Sequence, residues 1–182
     1  MSIPNLITCV RVFLIPVLVV VFYLPYDWHY MVASGIFIIA SISDWLDGYL
    51  ARKWNQFTPF GAFFDPVADK LLVAIALVLL VEDFANIWLT IPAMVILARE
   101  IIISALREWM AEIGKRTSVA VSYIGKVKTA LQMIAIIILL MDAPGSPASH
   151  VGLVMLYTAA ILTLWSMLVY LKAAWGDLTD TI

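Results

Sequence analysis

The 182-residue chain carries little charge: Asp, Glu, Lys and Arg make up 13% of it and sum to a net charge of −2, against 64% hydrophobic residues. A water-soluble fold of this length cannot hide so much apolar surface, and the mean hydropathy of +1.00 excludes a soluble globule. The one cysteine, Cys9, rules out a disulfide scaffold, and its apolar neighbours mark it as a packing residue. Two histidines, His29 and His150, supply no zinc-type ligand set. The acidic balance argues against a nucleic-acid surface, and 12% aromatic residues argue against disorder. Low-complexity tracts, short repeats and flexible linkers are also missing from the sequence, so residues 1–182 read as one polytopic membrane domain.

A bilayer core of roughly 30 Å takes about 20 helical residues to cross. On that ruler an all-α integral membrane protein with six transmembrane helices is expected, the spans lying near Leu6–Leu24, Trp28–Tyr49, Asp65–Val81, Ile87–Trp109, Ile124–Met141 and Val151–Ala173. A β-barrel would need alternating polarity, whereas Leu71–Val81 and Leu131–Met141 are apolar throughout. Met1–Asn5 has neither the basic residues nor the cleavage site of a removable signal, so the first span is expected to persist.

All 11 basic residues fall on one side of the alternation: Arg11, Arg52, Lys53, Lys70, Arg99, Arg107, Lys115, Arg116, Lys126, Lys128 and Lys172. The connections near Pro25–His29, Glu82–Asn86 and Asp142–His150 contain none, which predicts cytoplasmic termini. Trp28, Trp88, Trp109 and Trp175 sit near span ends as interfacial anchors, and the two histidines lie on the external side. Pro144, Gly145, Ser146 and Pro147 mark a tight external turn, while Ala111–Tyr123 reads as a cytoplasmic loop or short interfacial helix.

The acids carry the chemical information. Asp44, Asp47, Asp65 and Asp69 stand toward the cytoplasmic ends of the second and third spans, where a carboxylate is costly unless it meets a cavity, a counter-charge or a metal. Spacings of three and four put each pair on one helical face, and antiparallel helices joined through Arg52–Phe64 can bring the pairs together. Four converging carboxylates repel one another, and two divalent cations relieve that repulsion. Oxygen donors of this hardness suit Mg²⁺ or Mn²⁺, which can polarise a pyrophosphate. Gly48, Ala51 and Gly61 continue the acidic faces and permit close approach of a substrate or a neighbouring helix. Arg52 beside them can hold a phosphate, or simply flank the span on its positive side.

Together these residues read Asp44-x2-Asp47-Gly48-x2-Ala51-Arg52-x8-Gly61-x3-Asp65-x3-Asp69, and this pattern resembles the signature of the CDP-alcohol phosphotransferase family at every fixed position. Pro4-Asn5 with Thr8 and Arg11, Pro66-Val67-Ala68-Asp69-Lys70, Ala98-Arg99-Glu100, Leu106-Arg107-Glu108 and Gly125-Lys126-Val127-Lys128-Thr129 extend the likeness over nearly the whole chain. They resemble the bacterial branch that uses CDP-diacylglycerol as donor and sn-glycerol 3-phosphate as acceptor. The resemblance implies an active site at the cytoplasmic end of the bundle, in the bacterial inner membrane. It also implies that Asp44, Asp47 and Asp65 ligate two divalent ions, that Asp69 both lies near the second ion and acts as base, and that Asp44, Asp47, Gly48, Ala51, Arg52 and Gly61 line the CDP site. A homodimer is implied as well.

An acceptor phosphate calls for cations apart from the metals, and Arg99, Arg107, Lys126 and Lys128 are the candidates. Arg99 either binds that phosphate or pairs with Glu100; Lys126 and Lys128, two apart on a helix, do not share a face. Lys115 and Arg116 better suit lipid headgroups. Related phosphotransferases with inositol phosphate or lipid acceptors, and a divalent-cation transporter, are the competing readings. The transporter is disfavoured because the four acids lie toward one membrane face, without a matching polar set deep in the other spans. Reporter fusions test the topology: a cytoplasm-dependent fluorescent reporter is expected to be active at either terminus, and a periplasm-dependent phosphatase is expected to be active when inserted at Gly145 but not at either terminus.

Overall fold

The computed structural model describes residues 3–54, 59–112 and 123–179. Six helices account for nearly all of them: α1 (Ile3–Phe22), α2 (His29–Trp54), α3 (Pro59–Phe84), α4 (Ile87–Glu112), α5 (Tyr123–Met141) and α6 (Pro147–Thr179), with no strand among the described residues. Three segments, His29–Leu50, Ile87–Glu112 and Pro147–Lys172, are long and apolar enough to cross a membrane, and Leu6–Phe22 and Val127–Met141 are shorter apolar helices.

Several helices outrun the spans expected from hydropathy. Helix α2 continues to Trp54 and α3 begins at Pro59, so most of the loop expected over Arg52–Phe64 is helical, and Asp44, Asp47 and Asp65 lie within helices rather than at their ends. Likewise α6 runs on to Thr179. Hydropathy reports where the apolar solvent stops, whereas a helix continues as long as its backbone hydrogen bonds do.

The connections follow from local chemistry. The Asn86 Oδ1 accepts the Trp88 N–H at 3.1 Å and caps α4, just after Ala85 has turned the chain through the left-handed region at φ 43°. Gly145, at φ 87°, makes the α5–α6 turn without steric cost. Ser146 then caps α6 by accepting the Ser149 N–H at 3.1 Å, and Pro147 takes the first helical position, where a missing N–H is harmless.

All six helices contribute to one apolar core, in which Leu18, Phe37, Leu77, Ile96, Leu140 and Leu156 are fully buried. Helix α1 packs on α2 and α3, α5 on α6 and α2, and α4 on α6 and α3. Two polar ties cross this packing: Tyr30 donates to the Asp83 carboxylate (3.2 Å) between α2 and α3, and Ser34 donates to the Ile137 carbonyl (3.1 Å) between α2 and α5. The surface of the bundle remains apolar, with Phe13, Met31, Phe63, Met94, Ile101 and Trp165 exposed, as a lipid-facing exterior requires.

The α5–α6 contact is close at Gly152, where an added Cβ would stand 2.8 Å from the Leu139 Cγ. Overpacking of this kind costs about 1–3 kcal/mol. Gly152→Val is therefore expected to lower the thermal unfolding temperature of the detergent-solubilised protein, whereas Gly35→Ala, which meets no neighbouring atom within 4 Å, is expected to leave the packing undisturbed.

Candidate active site

Three helices build the acidic site. Thr8 and Arg11, three residues apart on α1, share a face, and both side chains are buried. The Arg11 Nη1 donates to Asp44 Oδ1 at 2.5 Å and its Nη2 donates to Asp47 Oδ2, so one guanidinium spans two carboxylates of α2. The Thr8 hydroxyl lies 2.7 Å from Asp65 Oδ1 on α3 and 3.2 Å from Asp47 Oδ2. A hydroxyl carries one proton, so the closer Asp65 is the better-placed acceptor and Asp47 stands within reach. Through these contacts Asp44, Asp47 and Asp65 form one network.

Arg11 is 0% exposed and Asp47 only 3%, whereas the Asp44 side chain is 42% exposed. The ion pair thus grades from a fully buried cation to a carboxylate that reaches the surface of the bundle. Asp69 is half-buried one turn beyond Asp65, and forms no hydrogen bond or ion pair among the described residues. It feels the charges of Asp44, Arg11, Glu100 and Lys70. Lys70 itself turns away to donate to Ser104 of α4 at 2.5 Å.

A second charged group spans α4, α5 and α6. Arg99, buried in α4, donates to Glu100 at 2.6 Å and reaches Ser166 of α6 at 3.4 Å. The ion pair envisaged for Arg99 therefore forms, yet its Nε has no partner among the described residues. Lys128 of α5 is buried as well, its Nζ unpartnered among the described residues and within electrostatic range of Arg99, Glu100 and Arg107. Orphaned cationic donors inside an apolar bundle are costly and suit an anionic ligand. Arg107 is exposed, 3.4 Å from the Tyr170 hydroxyl and stacked 5.5 Å from that ring's centre.

The remaining expectations divide. Gly48 is half-buried on α2 and Gly61 buried on α3, both on the helices that carry the acids. The side chains of Ala51, Arg52 and Lys126, together with Lys115 and Arg116 as a whole, lie outside the described residues. His29 and His150 bond locally, to the Tyr26 and Ser146 carbonyls. In the sequence Arg11 served as an orientation marker and, with Thr8, as part of a family-like motif, but neither residue was placed in a site, nor were Ser104, Ser166 or Tyr170. Arg11 gave a usable signal: a guanidinium within an apolar helix that holds no acid must find its counter-charge on another helix.

The acids do not collapse onto a single point: among the described residues no three of Asp, Glu, His and Cys stand close enough to share one metal ion. The donor chemistry nevertheless fits hard divalent cations, since the network engages one oxygen of each of Asp44, Asp47 and Asp65, and a carboxylate has two.

A helical bundle with helices fit to span a membrane, an acid network inside it and a cationic group beside that network defines a membrane-type protein with a built polar site. Residues 1–165 match the family model of CDP-alcohol phosphatidyltransferase, and the chain belongs to that family. It is 62% identical over 179 residues, 98% of each chain, to the CDP-diacylglycerol–glycerol-3-phosphate 3-phosphatidyltransferases of Salmonella typhimurium and Salmonella choleraesuis. It is 59% identical over the same length to the protein of that name from Escherichia coli K12.

Removing one partner of a buried ion pair costs about 3–5 kcal/mol, because the other charge is left uncompensated. Arg11→Met is expected to lose stability on that scale in chemical or thermal unfolding in detergent, and adding Asp47→Asn to it is expected to return part of the loss.

Proposed function

We propose that this chain transfers the phosphatidyl group of CDP-diacylglycerol to sn-glycerol 3-phosphate, giving phosphatidylglycerol phosphate and CMP. The observation that carries the reading is the joining of Asp44, Asp47 and Asp65, the acids of the family signature, in one network across α1, α2 and α3. The names of relatives matching 98% of the chain supply the donor and the acceptor.

On this reading all six helices span the bacterial inner membrane as one domain, the termini are cytoplasmic, and the protein acts as a homodimer. The lipid tails of the donor stay in the bilayer while its headgroup enters from the side. Asp44, Asp47 and Asp65, with Asp69 close by, hold two divalent cations, Mg²⁺ or Mn²⁺. When bound, these ions neutralise and polarise the pyrophosphate. Gly48, Ala51, Arg52 and Gly61 line the place of the CDP group together with Asp44 and Asp47.

Asp69 takes the proton from the acceptor hydroxyl, and the oxygen attacks the phosphorus that carries the diacylglycerol. The bond from that phosphorus to the bridging oxygen breaks, and CMP leaves. The freedom of Asp69 from hydrogen bonds and ion pairs among the described residues suits a base. The unpartnered donors of Arg99 and Lys128 receive the acceptor phosphate, with Arg107 and Lys126 as further cations at that side. Holding both substrates in place converts a meeting of two anions into an oriented attack.

The test is CMP release by the purified protein with CDP-diacylglycerol and Mg²⁺ or Mn²⁺, comparing glycerol 3-phosphate, inositol phosphate, phosphatidylglycerol and no acceptor. Release is expected only with glycerol 3-phosphate and metal. Another productive acceptor would keep the mechanism and change the product, and silence under all conditions would reject the reading. Asp69→Asn is expected to abolish turnover while retaining CDP-lipid binding. Lys128→Met is expected to raise the KM for glycerol 3-phosphate more than it alters the KM for the lipid donor.

A further inference from the structure

The buried contacts of α1 go beyond packing. Arg11 and Thr8 together contact one oxygen of Asp44, one of Asp47 and one of Asp65, drawing on a single turn of one helix to orient carboxylates from two others. Each of these carboxylates has a second oxygen with which to meet a ligand. Loss of an outer partner that orients a ligating carboxylate typically costs about 10- to 100-fold in metal affinity.

We infer that Arg11 and Thr8 are positioning residues for divalent-cation binding: they hold Asp44, Asp47 and Asp65 in register and touch neither substrate nor cation. The inference rests on the proposed role of those acids as metal ligands. The two residues divide the work by chemistry. Arg11 supplies a planar fork whose two ends set the spacing of Asp44 and Asp47, a task that the single ammonium of lysine performs poorly. Its permanent charge also offsets part of the repulsion between the acids. Thr8 supplies the neutral link from α1 to α3: its one proton is best placed for Asp65 at 2.7 Å, with Asp47 Oδ2 3.2 Å away on the same hydroxyl.

The experiment uses the full chain in detergent and reads Mn²⁺ binding directly, by the paramagnetic resonance signal of free Mn²⁺, with thermal unfolding in the absence of added cation as the control for folding. Thr8→Val keeps the shape of threonine and removes the hydroxyl; Thr8→Ser keeps the hydroxyl; Arg11→Lys keeps the charge and removes the fork. Thr8→Val and Arg11→Lys are expected to weaken Mn²⁺ binding about 10- to 100-fold. Thr8→Ser is expected to bind like the wild type. Wild-type affinity in Thr8→Val, or an equal loss in Thr8→Ser, would overturn the inference, the latter because the effect would belong to packing. If Arg11→Lys does not fold, the two Thr8 variants decide the matter by themselves. Absence of saturable Mn²⁺ binding by the wild-type protein would overturn the metal reading and this inference together.

Discussion

A guanidinium buried in an apolar helix is the constraint around which the rest of the site is arranged. Arg11 of α1 is fully buried, and burying such a charge without compensation costs several kcal/mol. Its compensation comes from Asp44 and Asp47, which in turn would be unfavourable in this setting without it. The pair therefore commits α1 and α2 to one relative position, and Thr8 extends that commitment to α3 through Asp65. Helix packing by apolar contact alone tolerates sliding, but a two-pronged ion pair does not.

The second polar group is organised differently. Arg99 satisfies itself partly with its neighbour Glu100 and with Ser166, yet Arg99 Nε and Lys128 Nζ remain unpartnered among the described residues. Arg11 too keeps an unpartnered Nε, but both its Nη groups are held by carboxylates, whereas the second group leaves the whole ammonium of Lys128 without a partner among the described residues. In the proposed reaction that difference matches the tasks: the acids must hold a fixed geometry, whereas the cations must accept and release a small anion at every turnover. Asp69 on α3 is within electrostatic range of Asp44 in the first group and of Glu100 in the second.

Much of the fold was legible in the sequence because a run of apolar residues favours a helix: the six runs correspond to six helices, three of them long and apolar enough to cross a membrane. The limits of the helices were not, since the polar ends of α2, α3 and α6 are helical for backbone reasons that hydropathy does not measure. Among the site residues, the spacing of the acids placed Asp44 beside Asp47, and Asp65 one turn before Asp69, without any structure. The same spacing could not say that Thr8 of α1 reaches Asp65 with Asp47 beside it, or that Asp69 stays outside the network.

The sequence alone determined what depends on composition and on short range: an apolar helical chain, connections near Pro25–His29, Glu82–Asn86 and Asp142–His150 without basic residues, and acids sharing helical faces in the pattern of one family. Tertiary structure alone decided the partners. Arg11 lies 33 and 36 residues from the carboxylates it holds, Thr8 lies 57 from Asp65, and Arg99 lies 67 from Ser166. No local periodicity encodes such pairings, because they depend on how the helices pack and rotate against one another, and that is set by the whole core at once.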